Sequence, residues 1–106
     1  MTTGILAFGV FALTDLRNPH RPPHGLLPPF VAGVVTLVGL SFGLNTGYPL
    51  NPARDFAPRL WTAFVYGQDV FTAGHAFAAV ALTMPFVGGL AGAALYEIAL
   101  GSAHEA

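Results

Sequence analysis

Two stretches of this chain are too long and too apolar to be ordinary surface helices. Residues 25–44 carry no charged side chain, and residues 76–100 carry one, Glu97, near their end. A hydrocarbon layer about 30 Å thick is crossed by roughly 20 apolar residues in a helix. In lipid, backbone N–H and C=O groups must be satisfied within the protein, which restricts such spans to helices. The fold class that follows is an all-α membrane protein. Composition agrees, with 54% hydrophobic and 8% charged residues, against about 25% charged in soluble domains.

The 106 residues correspond to one domain. Residues 4–13 are apolar but too short to span, so 3–14 reads as the later part of a span. Met1-Thr2-Thr3 has no basic region, so no signal peptide is expected. Residues 15–24 form a polar linker broken by Pro19, Pro22 and Pro23. Arg17 and Arg21 lie there, and the positive-inside rule puts this linker in the cytoplasm. In the span 25–44, Pro28 and Pro29 sit at the entry, where a helix tolerates them. Gly39, Gly43 and Gly47 recur every four residues, a spacing that lets membrane helices approach closely. Residues 65–75 read as a loop on the far side. In the span 76–100, Pro85 is placed to kink the helix, and Gly88, Gly89 and Gly92 offer a smooth face to a neighbour. Gly101 is expected to end the helix, leaving residues 101–106 as a tail on the same side as the linker.

Between the two spans lies residues 45–64. Tyr48 precedes Pro49 and is pushed out of the helical region. An extended backbone there leaves the carbonyls of Gly47, Tyr48 and Pro49 without helical partners, a ladder of acceptors that water or a permeant could use. Asn51 then reads as an N-cap and Pro52 as the first helical residue, with Asp55 near the positive end of the helix dipole. A helix from Pro52 to Phe64 would be roughly 20 Å long, too short to cross the bilayer. The expectation is a re-entrant half-helix. Asn51 would present an amide donor at its tip, and Arg54, about 60° around the helix, would face the same lumen. Loop carbonyls from residues 44–48 and water are the available partners for that guanidinium. Asp55 is spaced to pair with Arg59.

Asn51-Pro52-Ala53-Arg54 resembles the second Asn-Pro-Ala box of the major intrinsic protein family, the aquaporins and glycerol facilitators. The flanking run from Gly43 to Trp61 resembles the aquaglyceroporin branch. The resemblance extends over about residues 3–100, as the second half of one subunit. It implies half of the aquaporin-like fold: a partial span, two full transmembrane helices and one re-entrant half-helix. It also implies that Asn51, Pro52 and Ala53 form a constriction, and that Arg54, Tyr48 and Gly39 are filter positions. Gly39 stands where water-selective members often carry His, and Asp55 is typical of the glycerol branch. The implied activity is passive conduction of glycerol, water and similar neutral solutes. The implied partners are the lipid bilayer, those permeants and a homo-oligomer, a tetramer in the family. The expected location is the plasma membrane.

Other functions find no support in the residues. A basic footprint for nucleic acid is absent at a net charge of −1. His20, His24, His75 and His104 have no metal-binding spacing, and no catalytic set is present. Neither a cofactor nor an enzyme activity is expected. With no cysteine, the chain says nothing about redox compartment. Trp61 reads as an interfacial anchor. The competing function is a truncated, non-conducting membrane protein, or a partner that co-assembles with full-length channel subunits.

Overall fold

Long uncharged runs, interrupted only by proline and glycine punctuation, make almost the whole chain helical. The computed structural model of the protein describes residues 1–104. Helix α1 is Thr2–Thr14, and a 3₁₀ turn at His24–Leu26 leads into α2, Leu27–Thr46. Helix α3 is Pro52–Tyr66 and α4 is Asp69–Tyr96, followed by a π-helical turn at Glu97–Gly101 and a last turn, α5, Ser102–His104.

Several boundaries differ from the sequence reading, each for a local reason. Helix α2 runs through Thr46 rather than stopping at residue 44. It ends where Gly47 turns left-handed at φ 67, which glycine does at no steric cost. The Gly47 N–H donates to the Gly43 carbonyl at 2.9 Å. The segment 65–75 is largely structured rather than a loop. Only Gly67 and Gln68 separate α3 from α4, because Gly67 adopts φ 89 and reverses the chain at once. Residues 69–72 form a helical turn. The backbone then breaks at Ala73, and Gly74, His75 and Ala76 are left-handed, with φ of 63, 57 and 60. Beyond this break α4 keeps helical dihedrals through Pro85. Gly101 does not end the helix. It is buried within the π-helical turn, and the Glu97 side chain lies close over it. A Cβ at Gly101 would stand 2.6 Å from Glu97 Cδ. Residues 105 and 106 of the expected tail lie outside the described residues.

Helix α1 is the hub, packing against both α2 and α4, while α3 packs against α4. Glycines set the distances. A Cβ on Gly4 would stand 2.8 Å from the Gly88 carbonyl oxygen, and one on Gly92 would collide with the Gly4 backbone. On the other side of α1, a Cβ on Gly9 would meet Val34 Cγ1 at 3.0 Å. Further along the seam, the Tyr96 ring lies edge-on to Phe8 and stacked on Phe11, with centroids 5.6 and 5.9 Å away. These pairings make α1 and α4 parallel.

A polar latch closes the seam. The Tyr96 hydroxyl donates to Asp15 Oδ2 at 2.8 Å, and Arg17 Nη2 reaches the same oxygen at 3.0 Å. Arg17 also forks onto Glu97, Nη1 to Oε1 at 2.9 Å and Nη2 to Oε2 at 2.8 Å. The linker and the end of α4 therefore share one side. Bonds from the Arg17 side chain and backbone N–H, then from Tyr96, hold the Asp15 carboxyl well below the usual carboxylate range.

Little of the apolar surface is covered by the chain itself. Val38, Ala78, Ala81 and Tyr96 form the fully buried apolar core. Leu44 is 100% and Phe64 85% exposed. The segments His24–Thr46 and Asp69–Gly101 are each long and apolar enough to cross a membrane. Soluble folds bury helices of that composition, whereas these present their sides outward, as helices facing lipid or further protein do.

Candidate functional site

The tip of α3 is organised by Asn51. With φ −128 and ψ 113 it is extended, and its Oδ1 accepts from the Ala53 and Arg54 N–H groups at 2.9 and 3.3 Å. Using the oxygen as the cap leaves the Nδ2 amide directed outward as a donor. Pro52 has no N–H to satisfy, and the Asp55 N–H donates to the Asn51 carbonyl at 3.2 Å. The four backbone nitrogens at the helix start are thus accounted for within one turn, which is why the sequence Asn-Pro-Ala-Arg starts a helix here.

Just before this tip the chain makes two consecutive left-handed steps, Gly47 and then Tyr48 at φ 40. The sequence reading put Tyr48 outside the helical region but in an extended conformation. The left-handed step is instead locked by the Tyr48 N–H, which donates to Thr46 Oγ1 at 3.2 Å. It swings the phenol back over α2, where two glycines make room. A Cβ at Gly39 would stand 3.3 Å from Tyr48 Cζ, and one at Gly43 would stand 3.2 Å from Cδ1. Gly39 and Tyr48 are therefore one contact, not two independent positions. Among the described residues, the carbonyls of Gly47, Tyr48 and Pro49 accept no hydrogen bond. The Leu50 carbonyl accepts from Thr3 Oγ1 at 3.5 Å, tying the loop to the start of α1.

A cavity of about 380 Å³ opens in front of this loop, lined among others by Tyr48, Pro49, Asn51, Arg54 and Phe77. Arg54 also lines an adjoining cavity of about 410 Å³ with Pro58 and Thr62. Its side chain is exposed, and no carboxylate or carbonyl of the described residues pairs with it. The loop carbonyls of 44–48, offered as partners by the sequence, do not bond it. Its own carbonyl also lacks a helical partner, because the residue four positions on is Pro58. Asp55 cannot neutralise it either: both Asp55 oxygens are held by Arg59 at 2.9 Å. The rim of the cavity thus combines a cation, a helix N-terminus, an amide donor and free carbonyl acceptors. A larger cavity of about 690 Å³ between α1 and α4 has an almost wholly apolar lining, including Ile5, Phe8 and Leu95, and offers no comparable chemistry. Among the described residues no cluster of His, Asp and Glu could hold a metal.

The sequence pattern of the major intrinsic protein family matches residues 1–96. The chain belongs to that family. It is 42% identical over 103 residues to human Aquaporin-10, covering 96% of this chain and 34% of the relative. It is 39% identical over 95 residues to Aquaglyceroporin-3 of Trypanosoma brucei brucei, covering 90% and 31%. The solved aquaglyceroporin of Plasmodium falciparum superposes with a TM-score of 0.86 at 29% identity, over 98% of this chain and 43% of that one. The chain therefore spans about a third of the length of the relatives it matches by sequence. Membership in this family, together with the exposed apolar helices, makes it an integral membrane protein.

Sequence reasoning missed several contacts of this family member. Glu97 and Arg17 were each noted alone, but nothing in their 80-residue separation announced a pair. The bond from Arg59 Nη1 to the Val70 carbonyl, 2.7 Å, was likewise unforeseen. Gly88 and Gly92 were legible as a smooth face, while Gly4 as their partner was not.

Proposed function

We propose that the chain is the second half of an aquaglyceroporin-like channel subunit, one that passes glycerol, water and other small neutral solutes down their gradients. The observation that carries this reading is the shared cavity: Tyr48 backed by Gly39 and Gly43 on one wall, Asn51 and unpaired Arg54 on another. A polyol has carbons for the aromatic wall and hydroxyls for the guanidinium, amide and carbonyls. Arg54 and the helix N-terminus repel cations and protons. In this reading Asn51, Pro52 and Ala53 form the constriction, and Arg54, Tyr48 and Gly39 form the filter. The carbonyls of Gly47, Tyr48 and Pro49 line the path, with Asp55 behind them. Helix α3, 15 residues and roughly 22 Å long, dips to the bilayer middle rather than crossing it. The linker and the end of α4 face the cytoplasm, the assembly is a tetramer, and the membrane is the plasma membrane. The names of the relatives support the branch, two of them being aquaglyceroporins.

The test is glycerol and water flux in vesicles carrying this chain joined to a compatible first half. Glycerol flux well above that of empty vesicles, with ions excluded, is expected. Arg54→Ala should admit cations; unchanged ion exclusion would overturn the role given to that residue. The broad exposed apolar surface, Phe64 and Leu44 included, favours a second reading for the chain by itself. Alone it is a non-conducting membrane protein that assembles with longer subunits. Vesicle swelling driven by the purified chain alone would refute this second reading.

A further inference from the structure

We propose that the linker between α1 and α2 carries a binding site for the phosphate of an anionic membrane lipid. The site lies away from the tip of α3 and does not rest on the channel reading.

The site is a cavity of about 370 Å³ between the end of α1 and the start of α2. Leu13 and Leu16 line it from the α1 side and Leu27 from the α2 side, with Pro22 and Pro23 between them. Arg21 and His24 bring nitrogen donors to it. The Thr14 hydroxyl also lines it, but its proton is committed to the Val10 carbonyl at 2.8 Å.

Asn18 holds the linker in this shape. Its Nδ2 donates to the Ala12 carbonyl at 2.9 Å, tying the linker to the last turn of α1. Its Oδ1 accepts from the His20 N–H at 3.0 Å, and its carbonyl accepts from the Arg21 N–H at 3.3 Å. Pro22 and Pro23 then fix their own φ, and the Leu26 N–H donates to the Pro23 carbonyl at 2.8 Å. The cavity is therefore preformed, and Arg21 is placed at it by its own backbone bond.

The two arginines of the linker differ. Arg17 is bonded to Asp15 and Glu97. The Arg21 side chain is exposed, and no hydrogen bond or ion pair among the described residues engages it. Among the described residues no carboxylate lines the cavity. Asp15, the carboxylate of the linker, is committed to Arg17 and Tyr96. The cavity thus has a cationic rim without an internal counter-ion. Two oxygens of one phosphate match the planar fork of a guanidinium.

Position selects a lipid over a soluble anion. His24–Thr46 is long and apolar enough to cross a membrane, so its start stands at headgroup height. Leu16 is 79% exposed on the linker. A phospholipid carries its charge on the oxygens that Arg21 can bond and continues into acyl chains that cover Leu13, Leu16 and Leu27. A soluble phosphate would leave those leucines wet. Diffuse attraction of anionic lipid takes a cluster of basic residues, and this linker has two arginines, one of them neutralised. Recognition therefore falls to one pocket and one lipid per chain.

The full 106-residue chain in a neutral detergent, titrated with phosphatidylglycerol or phosphatidylcholine, reads the site by native mass spectrometry. One bound phosphatidylglycerol per chain is expected. Phosphatidylcholine, whose choline brings a cation beside Arg21, should bind about tenfold more weakly, the value of one hydrogen bond to a charged group. R21Q breaks no side-chain bond of the described residues and should remove that preference. T14F fills the cavity from the end of α1 while keeping Arg21, and should remove it as well. Equal binding of the two lipids by the parent chain, or an unchanged preference in R21Q, would overturn the proposal. So would a preference retained in T14F, since charge outside the cavity would then suffice. Should T14F fail to fold by circular dichroism, R21Q decides alone. Glycerol 3-phosphate carries the phosphate without acyl chains and probes the soluble source. At millimolar concentration it should leave the lipid adduct in place; displacement of the lipid would refute the membrane assignment.

Discussion

The seam between α1 and α4 and the tip of α3 are built from the same small vocabulary, glycine, aromatic rings and arginine, to opposite ends. At the seam, Gly4 sits against Gly88 and Gly92 so closely that no side chain fits. Tyr96 is 1% exposed, and Arg17 is bonded to two carboxylates. At the tip, glycines clear space for a ring that stays partly exposed, three carbonyls are unused, and Arg54 has no partner among the described residues. Satisfied groups hold a protein together. Unsatisfied ones cost stability and persist where something else completes them. In the channel reading proposed above, the contrast separates the part of this chain that maintains shape from the part left open to a solute.

Substitutions can break that contrast, and the largest effect is expected at the seam. Gly92→Val drives a side chain into the Gly4 backbone. It should cost about 3 kcal/mol, as overpacking of a tight core does, read by unfolding of the chain in mixed micelles. A loss below about 1 kcal/mol would mean that the helices separate freely. Next, Tyr96→Phe keeps the rings of Phe8 and Phe11 packed and removes only the hydroxyl bond to Asp15. About 1.5–3 kcal/mol is expected for a bond to a charged group.

A smaller, pH-dependent effect sharpens the assignment of the latch. Asp15 is lowered in the folded state relative to an unfolded carboxyl near 3.9. The unfolded chain then binds its proton first as pH falls, so the stabilisation from Asp15 is complete above about pH 4 and lost progressively below it. Unfolding at pH 5 should match pH 7 in this respect, and Asp15→Asn should flatten the decline below pH 4. A decline in the Asn variant equal to the parent's would assign the titration to another group.

The smallest stability effect is expected at the tip. Arg54→Ala should change unfolding by less than about 0.5 kcal/mol, since no pair is lost, while abolishing ion exclusion in the channel reading. Gly39→His should leave the fold intact but displace the Tyr48 ring, lowering glycerol flux more than water flux. If instead Arg54→Ala destabilised the chain as much as Tyr96→Phe, the tip would be a structural element and the division drawn above would fail.

Much of this was legible in sequence because it is local. Helix existence follows from uncharged runs, and Asn51-Pro52 states its own cap: the bonded groups lie within three residues of each other. The short length of α3 and the pairing of Asp55 with Arg59 are likewise set by spacing along one helix. The turn at 67–68 and the helical residues 69–72 were missed because a single left-handed glycine replaces what reads as an eleven-residue loop. The continuation past Tyr96 was missed because glycine reads as a helix end, whereas Gly101 is buried within a π-helical turn with the Glu97 side chain close over it.

The sequence by itself determined the class, an integral membrane helical protein, and the Asn-Pro-Ala-Arg tip, since hydrophobic length and capping are properties of contiguous residues. Only the tertiary structure decided which glycine faces which helix, which of two neighbouring arginines is neutralised, and that Gly39 and Tyr48 form one contact. Those outcomes depend on groups separated by up to some 80 positions. Close approach and charge pairing are set by distance in space, and spacing along the chain does not encode it.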